Sequence, residues 1–374
     1  MSDIALVLLG AGSSTRFGLQ AKKQWLWIGD KPLWLFVAER LTSIVEAADT
    51  IITAHPEEVP FFRRYCDYRV VPGGATRQES IVQALEHVKA PFVLISDIAR
   101  VCIQPDVVSR IFQAMDADVD CIAPYIPSPD TVVYKNETLD RSQVKLIQTP
   151  QLSRTDTLRQ ALASGGEFTD ESSAIRAIGG NVIYIEGDIR QRKLTYKEDL
   201  AHLPCLEPPV KKSLVGQGFD VHAFCDDRPL KLCGVEVPYE KGLAGHSDAD
   251  VAIHALIDAL LGAAGFGDIG ELFPDSDAAY AGIDSRLLLQ RASELLHSCG
   301  FVIESVDVTI LAQAPKLAPY KAAMQSTVAK ILNLPKRFVN IKATTTEKLG
   351  FVGRKEGIAA QAVATLHYYD WSSV

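Results

Sequence analysis

Ile4-Ala5-Leu6-Val7-Leu8-Leu9-Gly10-Ala11-Gly12-Ser13-Ser14-Thr15-Arg16 decides how the first half of the chain is read. The unbroken apolar run Ile4–Leu9, stopped by glycines, predicts a short buried strand feeding a tight turn. Working outward, Leu33–Ala47 has helical periodicity, Thr50–Ala54 reads as a strand, Glu57–Tyr65 as a short helix and Arg69–Val71 as a strand. Thr76-Arg77-Gln78-Glu79 has the pattern of a capping box opening a helix to Val88. Phe92–Ile95, Pro105–Met115 and Cys121–Ala123 continue the alternation as strand, helix and strand. Such alternation predicts an α/β fold, a parallel sheet with helices on both faces. Ligands of such sheets sit at the carboxyl ends of the strands, so the loops after Leu9, Val71 and Ile95 are the candidate site.

Composition narrows the function. The chain has 374 residues, with 47% hydrophobic and 22% charged residues and a formal net charge of -8. This length predicts two domains. The acidic balance disfavours a general nucleic-acid binder or a membrane-surface protein. The N-terminus lacks a basic leader and reaches glycines and Arg16 early, and the apolar stretch Ala252–Phe266 is interrupted by His254 and Asp258. No signal peptide and no membrane span are expected. The 7 cysteines are scattered without a Cys-x-x-Cys and read as reduced thiols, so the expected location is cytoplasmic.

Tyr125–Gln148 breaks the alternation as a polar excursion, and Leu203–Ser213 is proline-rich and reads as a semi-rigid linker. The expected domains are therefore 1–202 and 214–374, with 203–213 between them. Beyond the linker, strands near Leu214–Val221, Ser305–Leu311, Phe338–Thr344 and Gly357–Leu366 mix with helices near Ser247–Ala264, Ser285–Cys299 and Pro319–Leu332. That mixture predicts an α+β domain.

The first loop is neither a dinucleotide fingerprint nor a P-loop, because Thr15 takes the third glycine position and no Gly-Lys-Ser/Thr follows. A glycine turn with Arg16 and nearby Lys23 can still wrap a triphosphate, although a purely structural turn has the same signature. Gly73-Gly74-Ala75-Thr76-Arg77-Gln78-Glu79-Ser80 and Asp97-Ile98-Ala99-Arg100 occupy the other two loops of that rim. An Asp at a strand end is a natural Mg²⁺ ligand and equally a natural helix cap. Together the three loops favour a nucleotide site. In the second half Asp220 and His222, at i and i+2 of a strand, share a face. With His254 they supply the carboxylate and imidazoles that hold a catalytic Zn²⁺, although each histidine alone is more often a hydrogen-bonded structural one. Ser247 with Asp250 resembles a helix cap, and Asp258 a partner that orients a histidine ligand.

On these motifs residues 1 to about 202 resemble 2-C-methyl-D-erythritol 4-phosphate cytidylyltransferases. The resemblance implies a Rossmann-like nucleotidyltransferase sheet with a dimerisation arm. It implies that Gly10, Ala11, Gly12, Arg16 and Lys23 hold CTP phosphates, that Gly74 and Ser80 read the cytosine, and that Asp97 helps hold Mg²⁺. Arg100, Thr131, Arg141, Thr149 and Lys193 match positions that bind or orient methylerythritol phosphate, Thr131 and Arg141 lying on the arm. Asp170-Glu171 matches a recurring motif and reads as structural. Gly10-Ala11 stands where the family usually has two alanines, and Ile98 and Val101 where it has alanine and proline.

Residues from about 214 onward resemble 2-C-methyl-D-erythritol 2,4-cyclodiphosphate synthases, on Gly218–His222, Gly245–Asp250, Gly267–Asp277, Ala312–Leu317 and Thr344–Arg354. That resemblance implies a trimer with active sites between subunits, Zn²⁺ on Asp220, His222 and His254, and a second divalent ion, Mg²⁺ or Mn²⁺, on Glu347. It implies that His246, Ser247, Asp268, Ile269, Gly270, Phe273, Asp275 and Asp277 take the methylerythritol part. Ala312, Pro315, Lys316, Thr344, Thr346 and Phe351 would take the cytidine diphosphate, with Arg354 on phosphate and His246 and Thr345 stabilising the transition state. Dimeric arms and a trimeric second half would combine as a homo-oligomer, a hexamer. The expected function is thus a bifunctional enzyme acting on CTP and methylerythritol phosphates. The alternative is a CTP-dependent sugar-phosphate nucleotidyltransferase fused to a metal-binding assembly module.

Overall fold

The computed structural model describes residues 3–373. It divides into two compact units: the chain up to Pro208 joined by the C-terminal turn Trp371–Ser373, and Pro209–Asp370. Leu203–Pro208, expected as linker, therefore packs with the first unit. Trp371 belongs there too, donating its indole N–H to the Trp27 carbonyl at 2.7 Å.

In the first unit the strands Ile4–Leu9, Asp49–Ala54, Arg69–Pro72 and Phe92–Asp97 run parallel, with Ile4–Leu9 between Asp49–Ala54 and Phe92–Asp97. Their apolar side chains are buried on both faces, as continuous apolar runs require. The sheet is mixed rather than wholly parallel. Gln151–Arg154 inserts antiparallel between Phe92–Asp97 and Cys121–Pro127, and Lys145–Ile147 adds antiparallel beyond. Pattern reading missed this because Gln151 and Ser153 are polar yet buried, Gln151 being occupied by hydrogen bonds to Gln148, Asp170 and Ser172. The excursion is a hairpin, Val132–Tyr134 against Glu137–Leu139, exposing Val133 and Tyr134.

Thr76 caps the helix Arg77–Leu85 by accepting from the Glu79 N–H, while the Glu79 carboxylate accepts from Ala75. One expectation about the thiols is corrected: Cys102 and Cys205 form a disulfide, joining the loop after Phe92–Asp97 to the segment after His202. Scattered spacing gives no warning of two thiols 103 residues apart that the fold brings together. The other 5 cysteines are free.

The second unit has the sheet order Gly242–Leu243, Leu214–Cys225, Gly357–Tyr368, Phe301–Leu311, Val339–Thr344. On Leu214–Cys225 the even-numbered residues from Gly216 turn toward the helix Val251–Ala264, and Val215, Phe219 and Val221 are exposed on the other face. A Cβ at Gly216 would strike the Ala259 carbonyl, and one at Gly218 the Ala255 carbonyl. Glycine at both positions lets the helix backbone lie directly on the strand. The helix starts later than expected. Its cap is Asp250, which accepts from the Ile253, Cys233 and Gly234 N–H groups, and Ser247 lies outside it. No helix is long and apolar enough to cross a membrane among the described residues.

Candidate active sites

The first rim loops line a cavity of about 620 Å³ with Gly10, Ala11, Gly12, Arg16, Lys23, Gly74, Ser80, Asp97 and Lys193. Gly10 donates its N–H to the Thr53 carbonyl at 2.9 Å, where a Cβ would meet the same oxygen at 2.8 Å. Ser80 Oγ accepts from the Gly74 N–H at 3.1 Å and donates to the Thr76 carbonyl at 2.9 Å, fixing the second glycine loop. Burial, then Lys193 and Arg16, bring the Lys23 ammonium down to about 8, against the opposite pull of Asp97 and Asp199.

A second cavity of about 350 Å³ adjoins through shared walls: Arg77, Asp97 and Lys193 line both. Arg100 and Thr149 line the second. Thr149 Oγ1 accepts from the Asp97 N–H at 3.2 Å, and Arg100 donates to the Gln191 and Ile147 carbonyls at 2.7 and 3.2 Å. Asp97 stands between Lys193 at 2.5 Å and Arg77 at 3.0 Å, which hold its carboxyl well below the usual range against its burial. Arg77 reaches on to the buried Glu171 at 3.0 Å. Sequence reading gave Arg77 no role beyond the helix start. The only signal was its place in a glycine loop and the acidic pair Asp170-Glu171 far along the chain. Thr131 and Arg141 line neither cavity; both are exposed, and Arg141 donates to the Pro129 carbonyl.

In the second unit Asp220, His222 and His254 place a carboxylate oxygen and two ring nitrogens within 4.8 Å of one another. Asp220 Oδ2 lies 2.9 Å from His222 Nε2 and 3.2 Å from His254 Nδ1, and those nitrogens are 3.2 Å apart. Ligands about 2 Å from a tetrahedral ion stand roughly 3.3 Å apart, so the donor set fits such an ion. The outer nitrogens fit as well. His222 Nδ1 donates to the Ala244 carbonyl at 2.5 Å, leaving its Nε2 lone pair for a metal. His254 Nε2 faces Ser247 Oγ at 3.0 Å and Ser285 Oγ at 3.1 Å. Asp258, expected to orient a histidine, instead accepts from the Ile269 N–H.

A cavity of about 290 Å³ spans this cluster, His246, Ser247, Ile269, Gly270, Phe273 and Asp275. Asp268 and Asp277 act as caps, accepting from the Glu271 and Ala279 N–H groups. The remaining candidates line a different place. Ala312, Pro315 and Lys316 follow Phe301–Leu311, and Thr344–Thr346, Glu347, Phe351 and Arg354 follow the parallel Val339–Thr344. The Ala312 N–H donates to the Thr344 carbonyl at 3.0 Å, joining the two loops at one sheet end. Thr345 Oγ1 donates to Glu347 at 3.0 Å, and Lys348 N–H to Gln313 at 3.2 Å. These loops do not line the cavity at the Asp220 cluster within one chain.

Residues 4–205 match the 2-C-methyl-D-erythritol 4-phosphate cytidylyltransferase family, and residues 213–367 the YgbB family. The bifunctional enzyme IspD/IspF of Nitratiruptor sp. is 62% identical over 374 residues, covering 100% of both chains. This chain belongs to the bifunctional IspD/IspF enzymes. That of Campylobacter fetus is 50% identical over 375 residues, again with 100% of both covered. The structure of the bifunctional IspDF from Campylobacter jejuni superposes with a TM-score of 0.88 at 44% identity, covering 99% of this chain and 100% of that one. As an IspD/IspF enzyme the chain is a cytidylyltransferase and a cyclodiphosphate synthase of isoprenoid-precursor synthesis. It transfers CMP from CTP to 2-C-methyl-D-erythritol 4-phosphate. It also closes 4-diphosphocytidyl-2-C-methyl-D-erythritol 2-phosphate to the 2,4-cyclodiphosphate with loss of CMP. Full-length likeness to IspD/IspF enzymes sets aside the reading of the second half as an assembly module.

Proposed function

We propose that the paired cavities at Asp97 and the donor cluster at Asp220 are the respective centres of these reactions. The observation that carries the first assignment is that Asp97 and Lys193 line both cavities, so two phosphate-bearing substrates would meet there. CTP would lie with its triphosphate over Gly10–Gly12 and Arg16 and its base toward Gly74 and Ser80. The methylerythritol phosphate would sit toward Arg100 and Thr149, and its phosphate oxygen would attack the α-phosphorus as pyrophosphate leaves. The attacking phosphate is already anionic, so no side chain need take its proton. Arg16, Lys23 and Lys193 position the reactants and offset the charge developing on the equatorial oxygens. Mg²⁺, with Asp97 among its ligands, would supply further neutralisation of the triphosphate.

For the cyclisation, Asp220, His222 and His254 fit Zn²⁺, and Glu347 would hold a second Mg²⁺ or Mn²⁺; such ions polarise a diphosphate toward attack. His246, Ser247, Ile269, Gly270, Phe273 and Asp275 line the place for the methylerythritol part. Asp268 and Asp277 shape its loop. Ala312, Pro315 and Lys316 with Thr344, Thr346, Phe351 and Arg354 would take the cytidine diphosphate, and Thr345 with His246 would hydrogen-bond the reacting phosphate.

Among the described residues the nucleotide loops do not line the cavity at the donor cluster, and the sheet face carrying Val215, Phe219, Val221 and Val363 exposes each by at least 37%. Both features support a homo-oligomer whose cyclisation sites are completed by a neighbouring copy, and the exposed arm with Thr131 and Arg141 supports a like arrangement for the first reaction. A hexamer satisfies both. We place the enzyme in the cytoplasm, a reading that the 5 free cysteines support and the Cys102–Cys205 disulfide does not.

Product analysis by phosphorus NMR tests the assignment. CTP with methylerythritol phosphate, and separately the 2-phosphorylated cytidyl intermediate, are given to the parent, to Lys23→Ala and to His222→Ala. Each variant is expected to lose one product and keep the other. Pyrophosphate release at the parent rate by Lys23→Ala, or CMP release at the parent rate by His222→Ala, contradicts the corresponding site.

A further inference from the structure

Glu58 is a buried carboxylate that none of the chemistry above uses. It is 2% exposed, and it accepts from Trp25 Nε1 at 3.1 Å, from Gln24 Nε2 at 3.3 Å and from the Lys22 ammonium. Gln24, 1% exposed, is equally occupied. Its Nε2 also donates to the Gly12 carbonyl at 3.1 Å, and its Oε1 accepts from Ser14 Oγ at 2.8 Å. Ser14 Oγ in turn accepts from the Lys23 N–H at 3.3 Å. Trp25, which anchors Glu58 from the other side, packs edge-on against Phe62 at 5.1 Å and Trp34 at 6.2 Å, and those two rings stack at 4.2 Å.

A continuous chain of contacts thus runs from an aromatic core through Glu58 and Gln24 into the loop that opens the site. Its ends are informative. Gly12 and Ser14 stand on either side of Ser13, and Lys23 is the neighbour of Gln24 in sequence. Ser14 has a left-handed backbone, φ 58°, which a non-glycine residue adopts only at a cost. Both amide hydrogens of Gln24 are directed at acceptors and its oxygen at a hydroxyl, so the carboxamide has one orientation that satisfies all three partners. A loop without regular secondary structure would otherwise have to be ordered by the nucleotide itself, at an entropic cost to affinity.

We infer that Gln24 and Glu58 are positioning residues for the first reaction. They hold the Gly12–Ser14 turn and the Lys23 backbone in the shape that receives a nucleoside triphosphate before it binds. The inference rests on the reading of the Gly10–Arg16 cavity as the triphosphate site. It assigns Gln24 no contact with the reacting atoms. Its prediction is selective: loss of the brace loosens the triphosphate subsite and leaves the subsite of Arg100 and Thr149, on the other side of Asp97, as it was.

The test uses the full chain with Gln24→Glu, which turns the hydrogen donors toward Gly12 and Glu58 into acceptors, and steady-state kinetics in both substrates. The KM for CTP is expected to rise about tenfold or more, since small misplacements of a phosphate cradle are costly, with the KM for methylerythritol phosphate within about twofold of the parent. Adding Glu58→Gln, which returns a donor to the buried pair, is expected to recover part of the loss. If Gln24→Glu does not fold, Ser14→Ala removes the hydroxyl that ties the turn to Gln24 and serves in its place. Equal rises in both KM values reduce the pair to a general structural role and overturn the inference. So does an unchanged KM for CTP while Arg16→Ala raises it. An unchanged KM for CTP in Arg16→Ala as well shows instead that the triphosphate subsite itself is misassigned.

Discussion

His254 Nδ1 faces the Asp220 carboxylate at 3.2 Å while its Nε2 is turned away to Ser247 and Ser285. Ser285 Oγ donates to Asp248 at 2.5 Å, and Asp248 pairs with Lys231 at 3.1 Å. The ring is thus held with Nδ1 toward the cluster before any ion arrives, as outer partners do for metal-binding imidazoles. Truncating a ligand and truncating its support should differ in degree. Metal analysis is expected to show His222→Ala without bound zinc and Ser285→Ala with zinc bound about tenfold more weakly in a chelator competition. Full zinc occupancy in His222→Ala contradicts the donor assignment.

Lys23 titrates at about 8 in the free site, lowered chiefly by burial and then by the charges of Lys193 and Arg16. Its cation is present below that pH and lost as pH rises through it. If the cation receives the triphosphate, kcat/KM for CTP falls on the alkaline side with an apparent pKa near 8, because this ratio reports free-enzyme groups. Bound phosphates favour the charged form, so the limb in kcat lies at higher pH. Lys23→Arg keeps its charge and is expected to abolish the limb in kcat/KM. A limb unmoved in that variant assigns the titration to another group.

Arg77 joins Asp97 at 3.0 Å to Glu171 at 3.0 Å, and Glu171 is 0% exposed. Burial raises the Glu171 carboxyl, and Arg77 works against that rise. Removing the guanidinium strands the buried Glu171 carboxylate without its cation, whereas Asp97 keeps Lys193. Arg77→Met is expected to lower the stability of the first unit by about 3 kcal/mol, the order found when one partner of a buried pair is removed. Urea unfolding at pH 7 measures it. Adding Glu171→Gln is expected to recover part of the loss, because the stranded charge has gone.

These contacts show where sequence reading stopped. Apolar runs such as Ile4–Leu9 and the glycine loops after them are local signals, and the strands and rim loops were legible from them. Arg77 and Glu171 are 94 residues apart and Cys102 and Cys205 are 103 apart; no periodicity encodes such meetings. The buried antiparallel strand Gln151–Arg154 was illegible because its buried Gln151 is satisfied by the distant Asp170 and Ser172 rather than by water. The Asp220/His222 pair was legible because alternation puts i and i+2 on one face. The direction of the His254 ring, set by Ser247 and Ser285, was not.

The closest helix–strand approach links packing to chemistry. Gly218 has no room for a side chain: an added Cβ would meet the Ala255 carbonyl, and also the Ala259 nitrogen and the Asp258 Cβ, each at 2.8 Å. Asp220 lies two residues along the same strand face, and His254 precedes Ala255 on the helix. Gly218→Ala must push the helix away from the strand, since both obstacles at Ala255 and Ala259 are backbone. Overpacking of this kind costs about 1–3 kcal/mol, and separation of His254 from Asp220 and His222 follows from the same displacement. The expected result is a second unit that unfolds at lower urea and binds zinc more weakly, with cytidylyl transfer by the first unit unaffected. A methyl group accepted with parent zinc affinity and parent stability disproves the argument that the glycine face sets the geometry of the donor cluster.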